Sequence, residues 1–533
     1  MGRMFKVTFF PQNIVQEVEE GKTILDAEVL AGIEQDAPCG GAGKCGKCKV
    51  EILEGAETGI VLACQTPVTC DLKVNTLSME KMQKILTDGY ERQVDVNPGV
   101  GSAEQPFYVV AFDIGTTTIV GYLMDGHTGE EKAVASMMNP QHKFGADVIS
   151  RANYVLEHED GSDLLKQEVR KALNQLIGQV CEKAAVKREE ILQISIVGNT
   201  CMHHLFMGIS PQSLVLAPYV PAVQDGLILK AADYDLEIAE EGRLLMFPNI
   251  AGFVGGDTVG CMLSIAFDQL EDMTLMIDIG TNGELVMGNK THMVTTSTAA
   301  GPAFEGAKIE CGMRGAKGAI SHLTVEDQEL KFEIVDNEKA IGICGSGLID
   351  ILAFMIRYGF VDNYGGLAEE DDLEDPLAIS QAWRLQEKDG KPVFVLIPAE
   401  ETGTGEMIYI SQKDIREVQL AKGAIAAGIT IMADKLGISV EDIQHVYLAG
   451  AFGNYMDSDH ACEIGLIPYE LIERITPIGN AAGEGSKLAS INEGEYEYAC
   501  KLAREAEFIE LASEASFQDI FVDELEFARA VER

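Results

Sequence analysis

Four cysteines near the start of the chain have the chemistry and the spacing of a metal centre. Three stand in the glycine-rich segment "APCGGAGKCGKCKV", and a fourth follows in "VLACQTPV". Their order is Cys39-x5-Cys45-x2-Cys48-x15-Cys64. Thiolates are soft ligands that suit iron, and glycines let a loop wrap around a cluster with its N–H groups directed at sulfide. The arrangement predicts a [2Fe–2S] cluster bound by these four residues.

Two alternatives to this cluster remain open, a structural zinc ion and a chance grouping of reduced thiols. Zinc sites usually show two separated pairs of ligands, a spacing that this sequence lacks. The fourth position is contested as well, because Cys70 lies six residues after Cys64. We prefer Cys64 because "LACQ" resembles the closing ligand segment of ferredoxin modules. Cys70 opens a predicted strand and is better explained as a small buried residue.

A second chemical pattern occurs twice, as "AFDIGTTT" at 111–118 and "MIDIGTNG" at 276–283. Each copy predicts a β-hairpin whose glycine lets the backbone approach a phosphate, with N–H and hydroxyl groups as donors. Asp113 and Asp278 end the first strand of each hairpin and are expected to hold Mg²⁺ through its waters. The expected nucleotide-binding residues are Gly115, Thr116, Thr117, Thr118, Gly280, Thr281, Asn282 and Gly283.

A single such hairpin is more often an ordinary turn, but two copies predict two related lobes with a nucleotide in the cleft between them. A third segment, "VYLAGAFGNYM" at 446–456, reads as a strand, a glycine turn and a helix. Gly450 and Gly453 would let its backbone pass close to an adenosine. "ITPIGNAAGEGSKLAS" adds another glycine turn that leads into a helix.

Other polar residues near these segments have two possible roles. Asp257 in "VGGDTVG" could orient an attacking water, or it could cap a helix. His203 and His204 in "CMHHLF" invite a metal assignment, yet adjacent residues of one helix point apart and no fourth ligand is in sequence reach. We expect the two histidines to pack beside the cleft.

Composition limits the classes of function. The 533 residues carry a formal charge of −44, which disfavours nucleic acid and anionic membrane surfaces as partners. No basic segment followed by an apolar run opens the chain, and no apolar run reaches the length of a membrane span. Twelve cysteines without a signal peptide indicate thiols kept reduced in the cytoplasm. A homodimer is the default expectation.

The hydrophobic pattern divides the chain into regions. Strand-like segments with one helix precede residue 78, and a polar connector that includes "NPGVGSAEQP" follows. Hairpins then alternate with amphipathic helices, which predicts a multidomain α/β fold. The expected boundaries are 1–78 for the cysteine module, 79–106 for a flexible linker, 107–273 for lobe I, and 274–533 for lobe II with a C-terminal extension.

The two aspartate hairpins and "LAGAFG" resemble the phosphate and adenosine motifs of the acetate kinase, sugar kinase, Hsp70 and actin superfamily. Together with the cysteine module, the whole chain resembles the ATP-dependent reductive activators of corrinoid proteins. The likeness extends over nearly the full length through "GNTCMHHLFMG", "GFVGGDTVGCML", "AAGPAFEGA", "GICGSGLID" and "QLAKGAIAAG". It implies an α+β, β-grasp ferredoxin-like module followed by a two-lobed actin/Hsp70/sugar-kinase-type ATPase.

The resemblance further implies the activity. Such enzymes use ATP and one electron, passed through a [2Fe–2S] cluster, to return the inactive Co(II) of a methyltransferase corrinoid protein to Co(I). ATP, Mg²⁺ and a low-potential electron donor are the implied cofactors and partner. Longer members carry an extra segment between ferredoxin module and ATPase, for which residues 79–106 leave little room.

Three other functions are consistent with the same motifs. One is an ATP-dependent activator of another metalloenzyme, such as a radical dehydratase. Another is a small-molecule kinase with a redox-sensing ferredoxin module. The third is a chaperone-like reactivator that exchanges a cofactor and carries a structural cluster.

Overall fold

The structure is a computed structural model that describes residues 3–10, 14–33, 41, 43, 48–55, 58–76, 92–102, 104–280 and 282–527. Three of the expected binding residues, Cys39, Cys45 and Thr281, lie outside these described residues, as does most of the first half of the expected linker. Within the described ranges, no helix combines the length and the apolar character that crossing a membrane requires.

The N-terminal region is a five-stranded mixed sheet with one helix packed against it. Strands β1 and β5 are parallel at its centre, the order is β2-β1-β5-β3-β4, and the strands that the sequence predicted here are confirmed. Alternate residues such as Val7, Phe9 and Val74 are buried and form its core with Ile24 of the helix. The elements are β1 (Met4–Phe10), β2 (Ile14–Glu19), α1 (Ile24–Ala31), β3 (Lys49–Glu54), β4 (Gly59–Leu62) and β5 (Leu72–Asn75).

A second sheet of six strands follows, in the order β10-β11-β9-β6-β7-β8. The hairpin β6–β7 is antiparallel, and β9 lies parallel to β6 on its other side. The elements are β6 (Tyr108–Ile114), β7 (Thr118–Asp125), β8 (Glu131–Met138), α2 (Val148–Glu157), α3 (Gly161–Ala184), β9 (Ile191–Gly198), α4 (Thr200–Met207), α5 (Gln212–Val215), β10 (Leu227–Lys230), β11 (Arg243–Met246) and α6 (Gly256–Ser264).

The third large sheet repeats this plan in the order β22-β21-β12-β13-β14-β23, accompanied by two three-stranded sheets. The hairpin β12–β13 is again antiparallel, and β21 lies parallel to β12. The elements are β12 (Thr274–Ile279), β13 (Gly283–Asn289), β14 (His292–Thr298), β15 (Ala319–Glu326), β16 (Glu329–Ile334), β17 (Gly342–Ile343), α7 (Gly345–Arg357), α8 (Pro376–Ser380), β18 (Leu385–Lys388), β19 (Lys391–Ile397), β20 (Ile408–Ser411), α9 (Gln412–Leu436), β21 (His445–Ala449), α10 (Gly450–Tyr455), α11 (Ser458–Glu463), β22 (Ile475–Gly479), α12 (Ala481–Ile491), α13 (Glu493–Glu505), β23 (Glu507–Phe508) and α14 (Phe517–Asp523).

Helices α6 and α12 lie between the two six-stranded sheets. The hydroxyl of Ser486 on α12 contacts that of Ser195 on β9 at 2.8 Å and donates to the Phe112 carbonyl at 3.2 Å. A β-carbon on Gly485 would fall 2.1 Å from the carbonyl oxygen of Gly260 on α6. The small residues of "AAGEGSKLAS" therefore allow the two helices to touch through their backbones, at the floor of the interlobe cleft.

The second half of the expected linker is held against the ATPase lobes. The backbone N–H of Asn97 donates to the carbonyl of Ile491 at 2.8 Å, and Glu493 donates to the carbonyl of Asn97 at 2.9 Å. The guanidinium of Arg243 donates to the Pro98 carbonyl at 2.7 Å. The flexibility expected of "NPGVGSAEQP" is thus not found at its first residues, because tertiary hydrogen bonds satisfy a backbone that the composition alone leaves free.

Candidate functional site

The first aspartate hairpin forms at the cleft as expected. Asp113 stands near the end of β6, and the N–H of Gly115 donates to the carbonyl of Thr118 at 2.9 Å to close the turn. A β-carbon on Gly115 would fall 2.8 Å from that same oxygen. Glycine is therefore required by the closeness of the two strands, whatever the turn binds.

Side chains from elsewhere in lobe I hold this turn in place. The amide of Asn139 donates to the Gly115 carbonyl at 2.8 Å, and its backbone N–H donates to the Thr117 carbonyl at 2.8 Å. The amide of Asn199 donates to the Thr116 hydroxyl at 2.9 Å. Since that hydroxyl accepts from Asn199, its own proton remains available for an anion. The buried Thr117 hydroxyl has no partner among the described residues.

The second hairpin places Asp278 beside the expected adenosine segment. The N–H of Gly280 donates to the carbonyl of Asn282 at 2.8 Å, which closes the turn. Asp278 is paired in register with Glu284 on β13 and with Ala449 on β21. Gly450 follows Ala449 and has a positive φ of 81°. Strand β21 and helix α10 confirm the strand, turn and helix that the sequence predicted for "VYLAGAFGNYM".

Four carboxyl groups influence one another across the cleft: Asp113, Asp257, Asp278 and Glu284. Burial raises the pKa of Asp113 and Asp257 to about 7 and that of Asp278 to about 6. The pKa of Glu284 is raised well above its usual range by burial and by the charges of Asp257 and Asp278. All four residues are partly buried, so few water molecules can stabilise the charged form of each carboxyl group. A site of this kind favours a cation, which would relieve the repulsion.

Asp113 also has a neutral partner from the other end of the chain. Asn480, the N-cap of α12, hydrogen-bonds Asp113, and this contact partly offsets the effect of burial on its pKa. The amide of Asn480 also donates to the Tyr122 hydroxyl at 3.0 Å. Helix α12 therefore fixes the orientation of the first-hairpin carboxylate from between the lobes.

Asp257 lies in the first turn of α6, one residue inside the helix. The N-cap position belongs to Gly255, and the Asp257 carboxylate accepts the backbone N–H of Thr258 at 2.8 Å. One turn further along, the Cys261 thiol donates to an oxygen of Asp278 at 3.9 Å. Burial, and then the charge of Asp278, raises the pKa of that thiol well above its usual range. Cys261 is thus a neutral donor to the second-hairpin carboxylate.

The two histidines of α4 lie beneath the site. The Ala222 N–H donates to Nε2 of His204 at 3.0 Å, so Nδ1 carries the proton that is donated to the Thr200 carbonyl at 2.7 Å. His203 is buried, and neither ring nitrogen has a partner within the described part of the chain. Burial lowers the pKa of His203 to about 3, so its ring is neutral. It borders a small cavity behind Gly198 and Gly256.

In the N-terminal domain, the described residues bring the ends of the cysteine segment together. The N–H of Ala63 donates to the carbonyl of Cys48 at 2.7 Å, which places Cys48 beside the short helical turn that contains Cys64. A β-carbon on Gly41 would lie 3.9 Å from Cβ of Cys64. Cys64 and Cys70 are both half-buried, and both pack against the domain core. The choice of Cys64 rather than Cys70 as the fourth ligand stays a prediction.

Three protein-family models match successive regions of the chain. Residues 7–69 match the 2Fe-2S iron-sulfur cluster binding domain, residues 108–270 the RACo middle region, and residues 272–532 the C-terminal domain of RACo, described as the ASKHA domain. Fold and matches together define the class of protein: an enzyme in which a [2Fe–2S] ferredoxin domain precedes a two-lobed ASKHA-type ATPase.

The full-length relatives define the family. The chain is 32% identical to the corrinoid activation enzyme RamQ of Eubacterium limosum, over 95% of this chain and 97% of the relative. A solved structure of a reductive activator for corrinoid, iron-sulfur protein is 30% identical, covers 99% of both chains and superposes with a TM-score of 0.71. A [Co(II) methylated amine-specific corrinoid protein] reductase of Methanosarcina barkeri is 24% identical over 79% of this chain and 77% of its own. This chain belongs to the RACo family.

Several residues of the site were not predicted from the sequence. Glu284 lies on the second hairpin itself, and the others contact the hairpins from elsewhere in the chain: Asn139, Arg151, Asn199, Cys261 and Asn480. Only Glu284 carried a usable signal, because a residue six positions after Asp278 across a tight hairpin must face it. The others come from distant segments and have no local pattern.

Proposed function

We propose that this protein uses ATP to return one electron to the Co(II) form of a corrinoid protein, which restores the Co(I) form needed for methyl transfer. One observation carries the proposal: a ferredoxin fold with Cys48 beside the turn of Cys64 precedes a cleft in which four carboxyl groups meet. The names of the relatives support a corrinoid protein as the partner. We further infer a cytoplasmic homodimer that takes its electron from a low-potential donor.

The cleft residues fit a magnesium nucleotide. Raised carboxyl pKa values indicate a site in which negative charge lacks compensation. The Thr117 hydroxyl, which has no partner among the described residues, is available to donate a hydrogen bond to a phosphate. Among the described residues, no three His, Cys, Asp or Glu side chains are arranged to hold a metal ion directly. Since Mg²⁺ keeps most of its waters, Asp113 and Asp278 would bind it through those waters. Asp257 would orient the attacking water.

The cysteine segment fits a cluster bound by Cys39, Cys45, Cys48 and Cys64. Cys48 is buried and Cys64 is half-buried, so the domain limits the contact of both residues with solvent. When bound, a [2Fe–2S] cluster accepts and donates one electron at a time. The protein's own contribution is to hold the thiolates and to limit the access of water.

Energetics explain why such an enzyme needs a nucleotide. A one-electron reduction against the potential gradient costs about 1.4 kcal/mol for each ~59 mV, and plant-type clusters lie near roughly −400 mV. ATP can help only by binding one conformational state of the complex more tightly than another. The two lobes supply these states, because α6 and α12 connect both sheets to the cleft.

The test is anaerobic and spectroscopic. Full-length protein with its cluster is mixed with a Co(II) corrinoid protein, a chemical reductant and Mg-ATP, and the cobalt absorption spectrum is followed. We expect Co(I) to form only when ATP is present. Asp113→Asn and Asp278→Asn should each remove this dependence on ATP and leave the cluster spectrum unchanged. Equal Co(I) formation with and without ATP would contradict the proposal.

A further inference from the structure

His203 on α4 is a buried histidine whose ring has no hydrogen-bond partner among the described residues. The residue is only 4% exposed, and neither ring nitrogen meets a donor or an acceptor in that part of the chain. The next residue, His204, has both nitrogens paired, with the Thr200 carbonyl and the Ala222 N–H. A neutral imidazole always carries one N–H donor and one acceptor, so the His203 ring has hydrogen bonds to satisfy.

The His203 ring borders a small cavity where strands β6, β9 and β11 end. Ile114, Gly198 and Phe247 line it from or just beyond these ends, and Gly256, the first residue of α6, closes it. About 10 Å³ of the cavity is open to the centre of a water-sized sphere, which is enough for one water molecule. Among the described residues that line the cavity, His203 has the only polar side chain. A ligand held here must therefore be small and must bond to this ring or to the backbone.

Two backbone carbonyl groups lie at one edge of the cavity. A β-carbon on Gly256 would lie 3.5 Å from the carbonyl oxygen of Gly198 and 3.5 Å from that of Pro248. A water molecule beside Gly256 would thus reach two acceptors, and the His203 ring would be its third partner. Buried waters typically make about three hydrogen bonds, so the number of polar partners fits one water molecule.

The cavity lies between two segments of the nucleotide site. Asn199, the cap of α4, donates to the Thr116 hydroxyl of the first hairpin at 2.9 Å, and Asp257 follows Gly256 in the first turn of α6. The two segments touch through their backbones, since a β-carbon on Gly255 would fall 2.6 Å from Cα of Asn199. A shift at the start of α6 therefore changes the distance between Asp257 and the first hairpin.

We propose that His203 binds one buried water molecule and, through it, positions Asp257. The buried water joins the ring on α4 to the backbone at the other edge of the cavity, so the start of α6 keeps a fixed place relative to Asn199. An apolar side chain would fill the same space without the cost of burying a polar ring, so the ring indicates a bonded ligand rather than packing. His203 is a positioning residue, because it acts through the buried water and α6. The inference rests on the proposed function, in which Asp257 orients the water that attacks ATP.

The first test measures kcat and KM for ATP with full-length, cluster-loaded protein and a Co(II) corrinoid protein. His203→Leu removes both ring nitrogens and keeps an apolar side chain in the space. We expect kcat to fall by about tenfold or more, because Asp257 loses its fixed position. KM should change by less than about twofold, because the phosphate donors of the first hairpin stay in place. Asparagine and glutamine carry an amide near the positions of Nδ1 and Nε2, so His203→Asn or His203→Gln should recover most of kcat.

Cys201→Ala is the matched control. Cys201 is buried on the same helix, and its thiol donates to the Val148 carbonyl at 3.8 Å. This change should lower Tm, as any loosening of α4 would, and should leave kcat within about twofold of the unaltered protein. A kcat that is unchanged in His203→Leu, or that neither amide restores, would overturn the inference.

The second test needs no variant and is a crystal structure of the unaltered full-length protein, at a resolution that shows ordered water. We expect one water molecule within hydrogen-bond distance of a His203 ring nitrogen and of the Gly198 or Pro248 carbonyl. A ring bonded directly to a protein group, or a cavity without ordered water, would overturn the inference even if His203 variants fail to fold. The proposed function fails separately, if the unaltered protein hydrolyses no ATP or if Co(I) forms without ATP.

Discussion

Gly450 lies so close to Asp278 that a β-carbon on the glycine would fall 2.6 Å from the Oδ1 oxygen of the aspartate. This relationship joins two segments that are 172 residues apart in the chain (450 − 278). The turn into α10 therefore lies in direct contact with the carboxylate of the second hairpin. Any side chain at position 450 would compete with the carboxylate, or with whatever the carboxylate binds.

Gly450→Ala should therefore weaken binding of Mg-ATP by about tenfold or more, because the new methyl group forces Asp278 to move. The change also places alanine at a positive φ of 81°, which by itself costs about 1 kcal/mol of stability. Gly437→Ala separates the two effects, since Gly437 has a φ of 69° and nothing within 4 Å of its β-carbon position. Equal nucleotide affinity of the two variants, measured by titration calorimetry, would show that the Asp278 contact is unimportant.

Cys64→Ser and Cys70→Ser test the fourth cluster ligand. Cys64 and Cys70 both pack against the domain core, but Cys64 lies in the short helical turn whose Ala63 N–H donates to the Cys48 carbonyl. We expect anaerobically purified Cys64→Ser protein to lose most of its iron and sulfide, or to show a shifted visible spectrum. Cys70→Ser should keep both at the level of the unaltered protein. The assignment is wrong if the iron content falls in Cys70→Ser instead.

Asn199→Asp tests the support of the first hairpin. Asn199 has two roles: its side-chain oxygen caps α4 through the Met202 N–H at 3.0 Å, and its amide donates to the Thr116 hydroxyl at 2.9 Å. Aspartate keeps the cap and removes the donor. Loss of one hydrogen bond of about 1 kcal/mol predicts roughly a fivefold fall in kcat/KM for ATP, and the added negative charge would deepen it. Thermal stability should stay close to that of the unaltered protein, which a general folding defect would not allow.

Asp350 is buried in lobe II between two histidines. Its oxygens accept from Nδ1 of His322 at 2.9 Å and from Nδ1 of His460 at 2.8 Å. Burial opposes ionisation of Asp350, but these hydrogen bonds outweigh it and hold the pKa of the carboxyl below its usual value. Hydrogen bonding to Asp350 raises the pKa of His322. Burial lowers the pKa of His460, but the hydrogen bond and the charge of Asp350 outweigh burial, so the pKa of His460 is also raised.

The direction of these shifts predicts how stability depends on pH. Groups whose pKa is raised by folding stabilise the protein below the unfolded value, near 6.5 for histidine, and lose that contribution as the pH rises through the folded value. Asp350→Asn should remove the effect. The Tm difference between the unaltered protein and this variant should be on the order of a degree or two larger at pH 6 than at pH 8.5. A difference that does not change over this range would contradict the assignment.

Much of the plan of the protein was predictable because it is local. The cysteine spacing predicts a cluster bound by three residues of one short segment and a fourth further along, and the two Asp-Ile-Gly-Thr turns define hairpins whose register follows from strand pairing across a short turn. Alternating strands and helices then imply the α/β class. The resemblance to corrinoid activators rested on these segments and on further short motifs along the chain, and the full-length relatives bear it out.

Tertiary structure decided which residues complete the site. Asn199, Arg151 and Asn480 carry no local signal, because their contacts with the first hairpin depend on where α4, α2 and α12 lie in space. The same holds for the raised carboxyl pKa values, which exist only once residues from both lobes share a cleft with little water. Short-range spacing can specify a turn or a ligand loop, whereas burial and charge proximity arise only when segments hundreds of residues apart are packed together.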